Sequence, residues 1–299
     1  MSPASFRTAR WTLTLAAAAA IASTGASAQT SSNVSDLLAR VGARIAEYYK
    51  RAQKVICTEK YTVQPIGWNF GPEGFARITE SELRVETGEG DGDGPGEAKV
   101  LRSVRKVNGR PPREKDRKDR SGCTDLNPLS PEPLAFLLPA HRSDYEFVAA
   151  GPGKGRDRNA LLIDFTLAAP SRRVELIEDQ SGHEDCFDWS GRLPTKGRIW
   201  IDAGSYDVLR VDQRISGPVD VRVPVALQRR HNLVDPVVVE REDFSIRYKS
   251  FVFREPDEVM LLPESINMLI VVRGGLQSTR RSQTFTDYRR FVTEGRLVR

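Results

Sequence analysis

Histidine and cysteine are scarce in this chain, three of each in 299 residues. The histidines are His141, His183 and His231. A zinc site needs three or four ligands at suitable separations. The one dense group of such residues, His183-Glu184-Asp185-Cys186, has no second Cys/His pair to complete it. No metal is expected there. The segment Glu89, Asp91, Asp93, Gly94 imitates the start of a calcium loop, but Val100 stands where the bidentate glutamate belongs. Also missing are a G-x-S-x-G elbow, a G-x-x-x-x-G-K-[ST] phosphate cradle and a G-x-G-x-x-G ahead of a helix. The glycine-rich Gly151 to Gly155 lies between two strand patterns and reads as a hairpin loop. The expectation is a protein with no catalytic residues and no cofactor.

Long apolar runs are equally few. Beyond residue 28 no segment approaches the roughly 18 apolar residues of a membrane helix, so no later transmembrane segment is expected. The first 28 residues read as a secretory signal peptide: Arg7 and Arg10, an alanine-rich run from Leu13 to Ile21, and Ala26-Ser27-Ala28 as a small-x-small cleavage site. Cleavage near Ala28 leaves residues 29–299 as one periplasmic or secreted, soluble domain. Taking Arg7 and Arg10 from the formal charge of +5 leaves +3, with both signs interspersed, which does not suggest a nucleic-acid partner.

An oxidising compartment permits a disulfide. Cys123 and Cys186 both sit in polar, loop-like surroundings, whereas Cys57 opens a strand pattern. That favours Cys123 with Cys186 and leaves Cys57 a buried thiol, although spacing alone does not decide the connectivity.

What is present is strand periodicity. In Gly197 to Ile215, Ile199 and Ile201 face one way and Arg198, Trp200 and Asp202 the other. Across a turn at Ala203-Gly204-Ser205, Leu209, Val211 and Ile215 oppose Arg210, Asp212 and Arg214. Side chains alternate faces along a strand, so this is a hairpin with one covered and one wet side. Further strands are expected over 55–64, 75–87, 98–108, 145–149, 161–167, 173–178, 240–254, 261–272 and 277–291. A phase change at Lys249-Ser250 predicts a bulge. Residues 179–193 read as a polar loop and 217–236 as a proline-bearing connection. Residues 88–97 and 109–122 read as flexible, charged loops.

Two helices complete the pattern. Ser35 and Asp36 are candidate N-caps for an amphipathic helix ending near Lys54, with Leu37, Leu38, Val41, Ile45, Tyr48 and Tyr49 on its apolar side. In PLSPEPLAFLLPA (128–140) a short helix carries Leu134, Phe136, Leu137 and Leu138, with Pro139 as its stop. The fold class is mainly β (α+β). It is a large curved antiparallel sheet of about ten strands, a half-barrel, covered by these helices.

This order resembles the LolA-like superfamily of periplasmic half-barrels, which includes lipoprotein carriers and the sigma-factor regulator RseB. The hairpin G-x-I-W-I-D…Y-x-V-L-R-V at 197–211, LLPESINMLIVVRG and F-T-D-Y-R-R-F at 285–291 carry the likeness. The resemblance implies a cavity for acyl chains under the helices, and hence a lipid or lipoprotein acyl chain as partner. Inward candidates for such a cavity are Leu83, Val85, Ile199, Ile201, Leu209, Val211, Ile266 and Met268. The alternative is an RseB-like envelope interaction module with a protein partner, using the 109–122 loop as contact surface.

Overall fold

The computed structural model describes residues 22–52, 55–87, 98–114, 116, 134–178, 186–254 and 257–290. Leu38, Val41 and Ile45 recur at helical spacing and lie on the buried side of α1 (Ala22–Ala52). The helix begins well before Ser35 and Asp36, so these two are interior residues rather than caps.

Strands follow: β1 (Val55–Ile66), β2 (Arg77–Thr87) and β3 (Ala98–Val107). A 3-10 turn (Ala135–Leu137) and α2 (Pro139–Arg142) come next, then β4 (Tyr145–Gly155), β5 (Arg158–Leu167), β6 (Leu176–Glu178) and β7 (Phe187–Trp189). The central hairpin is β8 (Thr195–Asp202) and β9 (Val208–Ile215). Then come β10 (Val219–Val221), α3 (Val225–His231), β11 (Val237–Arg254), β12 (Asp257–Arg273) and β13 (Ser278–Arg290).

Ten strands pair side by side in the order β3-β2-β1-β13-β12-β11-β9-β8-β5-β4, with β10 added to β11. Every pairing is antiparallel, and the sheet is open, ending at β3 and β4. From β2 to β5 there are seven strand spacings, about 34 Å if flat. Yet Leu83 of β2 and Ile163 of β5 belong to one continuous core with α1, a rod only about 10 Å wide. The sheet therefore wraps around the helix. Register breaks within β1, β3, β4, β9, β11, β12 and β13 supply local bends.

Several sequence expectations change here. Pro139 follows the 3-10 turn that ends at Leu137 and also starts a second helical turn at its first position, where a missing N–H costs nothing. The Gly151 to Gly155 stretch is strand, and the hairpin loop shrinks to Arg156-Asp157. Its glycines make room for neighbours: a Cβ on Gly153 would lie 2.7 Å from Leu162, and one on Gly155 2.7 Å from Leu209. The register breaks of β11 and β12 fall at Val239/Arg241 and Arg247/Tyr248, not at Lys249-Ser250. Residues 179–193 hold β7, which pairs with β6. Residues 217–236 hold β10 and α3, because Val221, Val223, Leu227 and Leu233 bury against Val237, Val239 and Val272 at one end of the sheet. The 88–97 loop lies outside the described residues. Of 109–122, the described part is tied by Arg110 donating to Asp116 at 2.6 and 3.0 Å.

Candidate functional site

The sheet offers two faces of opposite chemistry. On the inner face, Ile163, Ile199, Val211, Ile246 and Ile266 stand directly across from one another on β5, β8, β9, β11 and β12. None is more than 1% exposed. With Leu83, Ile201 and Val208 they form one cluster with Val34, Leu38, Val41 and Ile45 of α1. Phe165 joins them and packs on Phe136, Tyr145 and Phe147, with ring centroids 4.9 to 6.5 Å apart. Gly197 is required beneath that ring, since a Cβ there would lie 2.5 Å from Phe165 and 2.1 Å from the Asp212 carbonyl.

Five sequence candidates (Leu83, Ile199, Ile201, Val211 and Ile266) therefore meet under the helix, packed by side chains. The side chain of Val85 lies outside the described residues. Leu209 sits elsewhere. Ile201 pairs with Val208 and Trp200 with Arg210, which makes Leu209 the extra residue of a bulge. Val208 takes the core position, and Leu209 lines a groove with Trp200, Arg210 and Arg247. Met268 is half-buried on the inner side, two residues on from Ile266 and directly opposite Phe244, at the margin of the core cluster.

Sequence reasoning missed a polar group inside this face. Glu59, 1% exposed, accepts from Arg102 Nε at 2.7 Å and from Gln283 Nε2 at 2.7 Å. Glu59 falls in the same alternate phase as Cys57, Tyr61 and Val63, so an acid in an apolar series was the available signal. Burial pushes the neighbouring Cys57 thiol up to about 12, far from a reactive thiolate.

The seam where α1 meets the sheet is latched by polar contacts. Arg44 Nη2 donates to Asp207 at 2.9 Å, Arg40 Nη1 to the Tyr206 hydroxyl at 2.7 Å, and Arg51 Nε to Glu258 at 2.6 Å. Arg142 Nη2 reaches the Leu38 carbonyl at 2.8 Å, over Gly42, whose missing Cβ leaves the guanidinium room. Two crevices open on this seam, of about 140 and 20 Å³, sharing Arg44, Tyr48, Asp207 and Leu261. Tyr248 lines the smaller one and is 5% exposed. Its hydroxyl is buried without a hydrogen-bond partner among the described residues.

The outer face carries charge in ordered rows. Thr166, Lys196, Arg214, Asp243, Leu269 and Arg280 stand side by side on successive strands. The next row is Asp164, Arg198, Asp212, Ser245, Asn267 and Ser282, and the third runs Leu162, Trp200, Arg210, Arg247, Ser265 and Thr284. A groove of about 850 Å³ lies over the first two rows. Each acid has a cation: Arg198 grips Asp164 at 2.6 and 2.9 Å, Arg210 reaches Asp212 at 2.5 Å, and Arg241 reaches Asp243 at 2.5 Å. The Arg198 hydrogen bonds hold the Asp164 carboxyl below the usual carboxylate range. Lys196 and Arg214 face each other directly, as do Arg210 and Arg247, and like charges in that position destabilise a sheet.

No family profile matches the chain, and no curated protein matches it by sequence. Among solved structures it is similar to an outer membrane lipoprotein-sorting protein domain from Vibrio parahaemolyticus. The identity is 12%, with 85% of this chain and 93% of that one covered, at a TM-score of 0.35. It is also similar to a LolA superfamily protein from Nitrosomonas europaea, at 10% identity over 84% of this chain and 93% of that one, with a TM-score of 0.31. The Pseudomonas aeruginosa MucA/MucB complex matches at 10% identity over 87% of this chain and 99% of that one, with a TM-score of 0.22. At these scores the likenesses say nothing about chemistry. No helix of the described residues is long and apolar enough to cross a membrane.

Proposed function

We propose that this is an exported, non-enzymatic binding protein that holds a lipid, an acyl chain or another apolar ligand between α1 and the inner face of the sheet. One observation carries the reading: the buried Tyr248 hydroxyl at the α1 seam, which has no hydrogen-bond partner among the described residues. Leaving such a group unsatisfied costs about 1–3 kcal/mol, and an acyl carbonyl entering the seam would satisfy it. The inner cluster is filled while α1 is seated, so a ligand enters by displacing helix side chains. The latches that resist this are rim ion pairs and hydrogen bonds, each worth at most about 1 kcal/mol.

The test is native mass spectrometry of protein purified without detergent, followed by lipid analysis of an organic extract. A stoichiometric acyl-bearing adduct is expected, and Tyr248→Phe should retain less of it while unfolding at higher temperature. A clean apo mass that does not shift with added phospholipid or fatty acid would sink the reading. Sequencing the amino terminus of the exported form should begin near Gln29. Denatured, unreduced protein should show one titratable thiol if Cys123 pairs with Cys186. Cys186 is buried, and Cys123 lies outside the described residues.

A second reading is an envelope interaction module that takes an acidic partner segment on the outer face. Lys196, Arg214 and Arg280 favour it, a set of exposed or half-buried cations lining the groove that includes one directly opposed like-charge pair, Lys196 with Arg214. Arg214→Glu should then weaken capture of an acidic peptide by more than tenfold with little change in stability, because it relieves Lys196 on one side and opposes Asp243 on the other. Unchanged capture would eliminate this reading.

A further inference from the structure

The loop from Gly67 to Ala76 joins β1 to β2 and carries three aromatic rings. Trp68 is 95% exposed, Phe75 96% and Phe70 47%. Single exposed apolar residues are ordinary, but three on one loop, two of them almost bare, are not. They are not there for want of order. Phe70 N donates to Gly67 O at 2.9 Å, Gly67 N to Gly71 O at 2.9 Å, and Glu73 N to Pro65 O at 2.9 Å. Two glutamines clip the loop from below: Gln277 Nε2 donates to Ile66 O at 3.1 Å and to Glu73 at 3.2 Å, and Gln64 Nε2 to Gly74 O at 3.4 Å. The turn also holds Phe70 at φ +62°, a left-handed conformation that is unfavourable for a bulky residue. Strain of that kind costs about 1–3 kcal/mol and persists where the surroundings enforce it, as functional sites do.

We propose that the 67–76 loop is a membrane-docking tip, which seats Trp68, Phe70 and Phe75 in the headgroup region of a phospholipid bilayer. Three rings bury 150–250 Å² each at most, about 600 Å² together, below the roughly 800 Å² per partner of a stable protein interface. A lipid surface needs no complementary shape. Tryptophan, with an apolar body and one N–H, favours the membrane–water boundary. Behind the rings, Arg280 pairs across from Gln64 at the base of the loop, exposed and without an ion-pair partner among the described residues. That places a cation at the depth of anionic headgroups. The inference stands apart from the inner-face ligand, since docking requires nothing of the α1 seam.

The test uses purified protein and vesicles of phosphatidylethanolamine and phosphatidylglycerol, with flotation and tryptophan emission as readouts. The wild type should float with the vesicles and its emission should shift to the blue. Each ring fully buried is worth about 1.5–3 kcal/mol, so the W68A/F75A pair should lower partitioning by well over tenfold. Both side chains are nearly fully exposed, so the double variant should keep the wild-type melting temperature, which separates lost docking from lost folding. Arg280→Ala should weaken binding to the anionic vesicles by a smaller factor. Failure of the wild type to float, as a protein-docking tip would give, or equal flotation of W68A/F75A, overturns the proposal.

Discussion

The two faces of the sheet are written on the same strands, one residue apart, and they obey different physics. Ile199 and Ile246 face inward, wholly buried, and their contribution grows with the water they exclude. Arg198 and Ser245, their neighbours in sequence, face outward into a groove where water competes with every partner. The inner face holds Glu59 by pairing it with Arg102 and Gln283. The outer face can even hold Lys196 opposite Arg214. Stability is stored on one side of the sheet and recognition capacity is free to vary on the other.

The contrast breaks most visibly at the buried ion. Arg102→Met strands Glu59 in the core and should cost about 3–5 kcal/mol in urea unfolding, and replacing both residues by leucine should recover most of it. A cavity at the centre of the inner row comes next. Ile246→Ala should cost about 2–5 kcal/mol, with a lowered midpoint and an unchanged slope.

Acid sharpens the comparison further, because the two faces respond to it in opposite senses. Burial raises the pKa of Glu242, which lies inward with the Trp189 indole hydrogen-bonded to it. A carboxyl that holds its proton more tightly when folded loses stability for the protein as pH rises above about 4.3, its unfolded value. Glu242→Gln should therefore be more stable than wild type at pH 8, with the gap closing towards pH 4. Asp164 on the outer face has its pKa lowered by Arg198. Its contribution is present above about pH 4 and disappears as pH falls below that. Both partners are nearly half exposed, so Arg198→Ala should cost only about 0.2–1 kcal/mol at pH 7, the smallest effect of the set, and less as the pH falls below about 4.

The period of two made the hairpin, its covered face and most of the inner row legible from sequence. What escaped notice has local causes. A single inserted residue at Leu209 hands its core place to Val208, and an alternation count that assumes unbroken register cannot see that. Glu59 hides among apolar neighbours because its partners lie on β3 and β13, far away in the chain. β7 and α3 are too short to show a period, and they exist because the end of the sheet needs cover. Pro139 was read as a stop although the same fixed φ suits a start. Phe75 is expected to open a strand, but that strand starts at Arg77 and leaves the ring outside, and nothing in a sequence says that aromatic rings stay outside.

The open ends of the sheet carry a consequence for a newly made chain that folds among many others still unfolded. A bare strand edge is an invitation to pair with a stranger. β3 answers with Arg105 and Lys106, charged side chains paired to Glu82 and Glu80 of β2, which keep this edge polar. β4 answers with shape: a register break at Ala149/Gly151 and Pro152 just after it deny a regular ladder along its free side. The two ends thus guard against polymerisation by different means. Replacing the glycines and the proline of β4 with better strand formers would give a flatter edge, on which copies of the protein would be expected to stack.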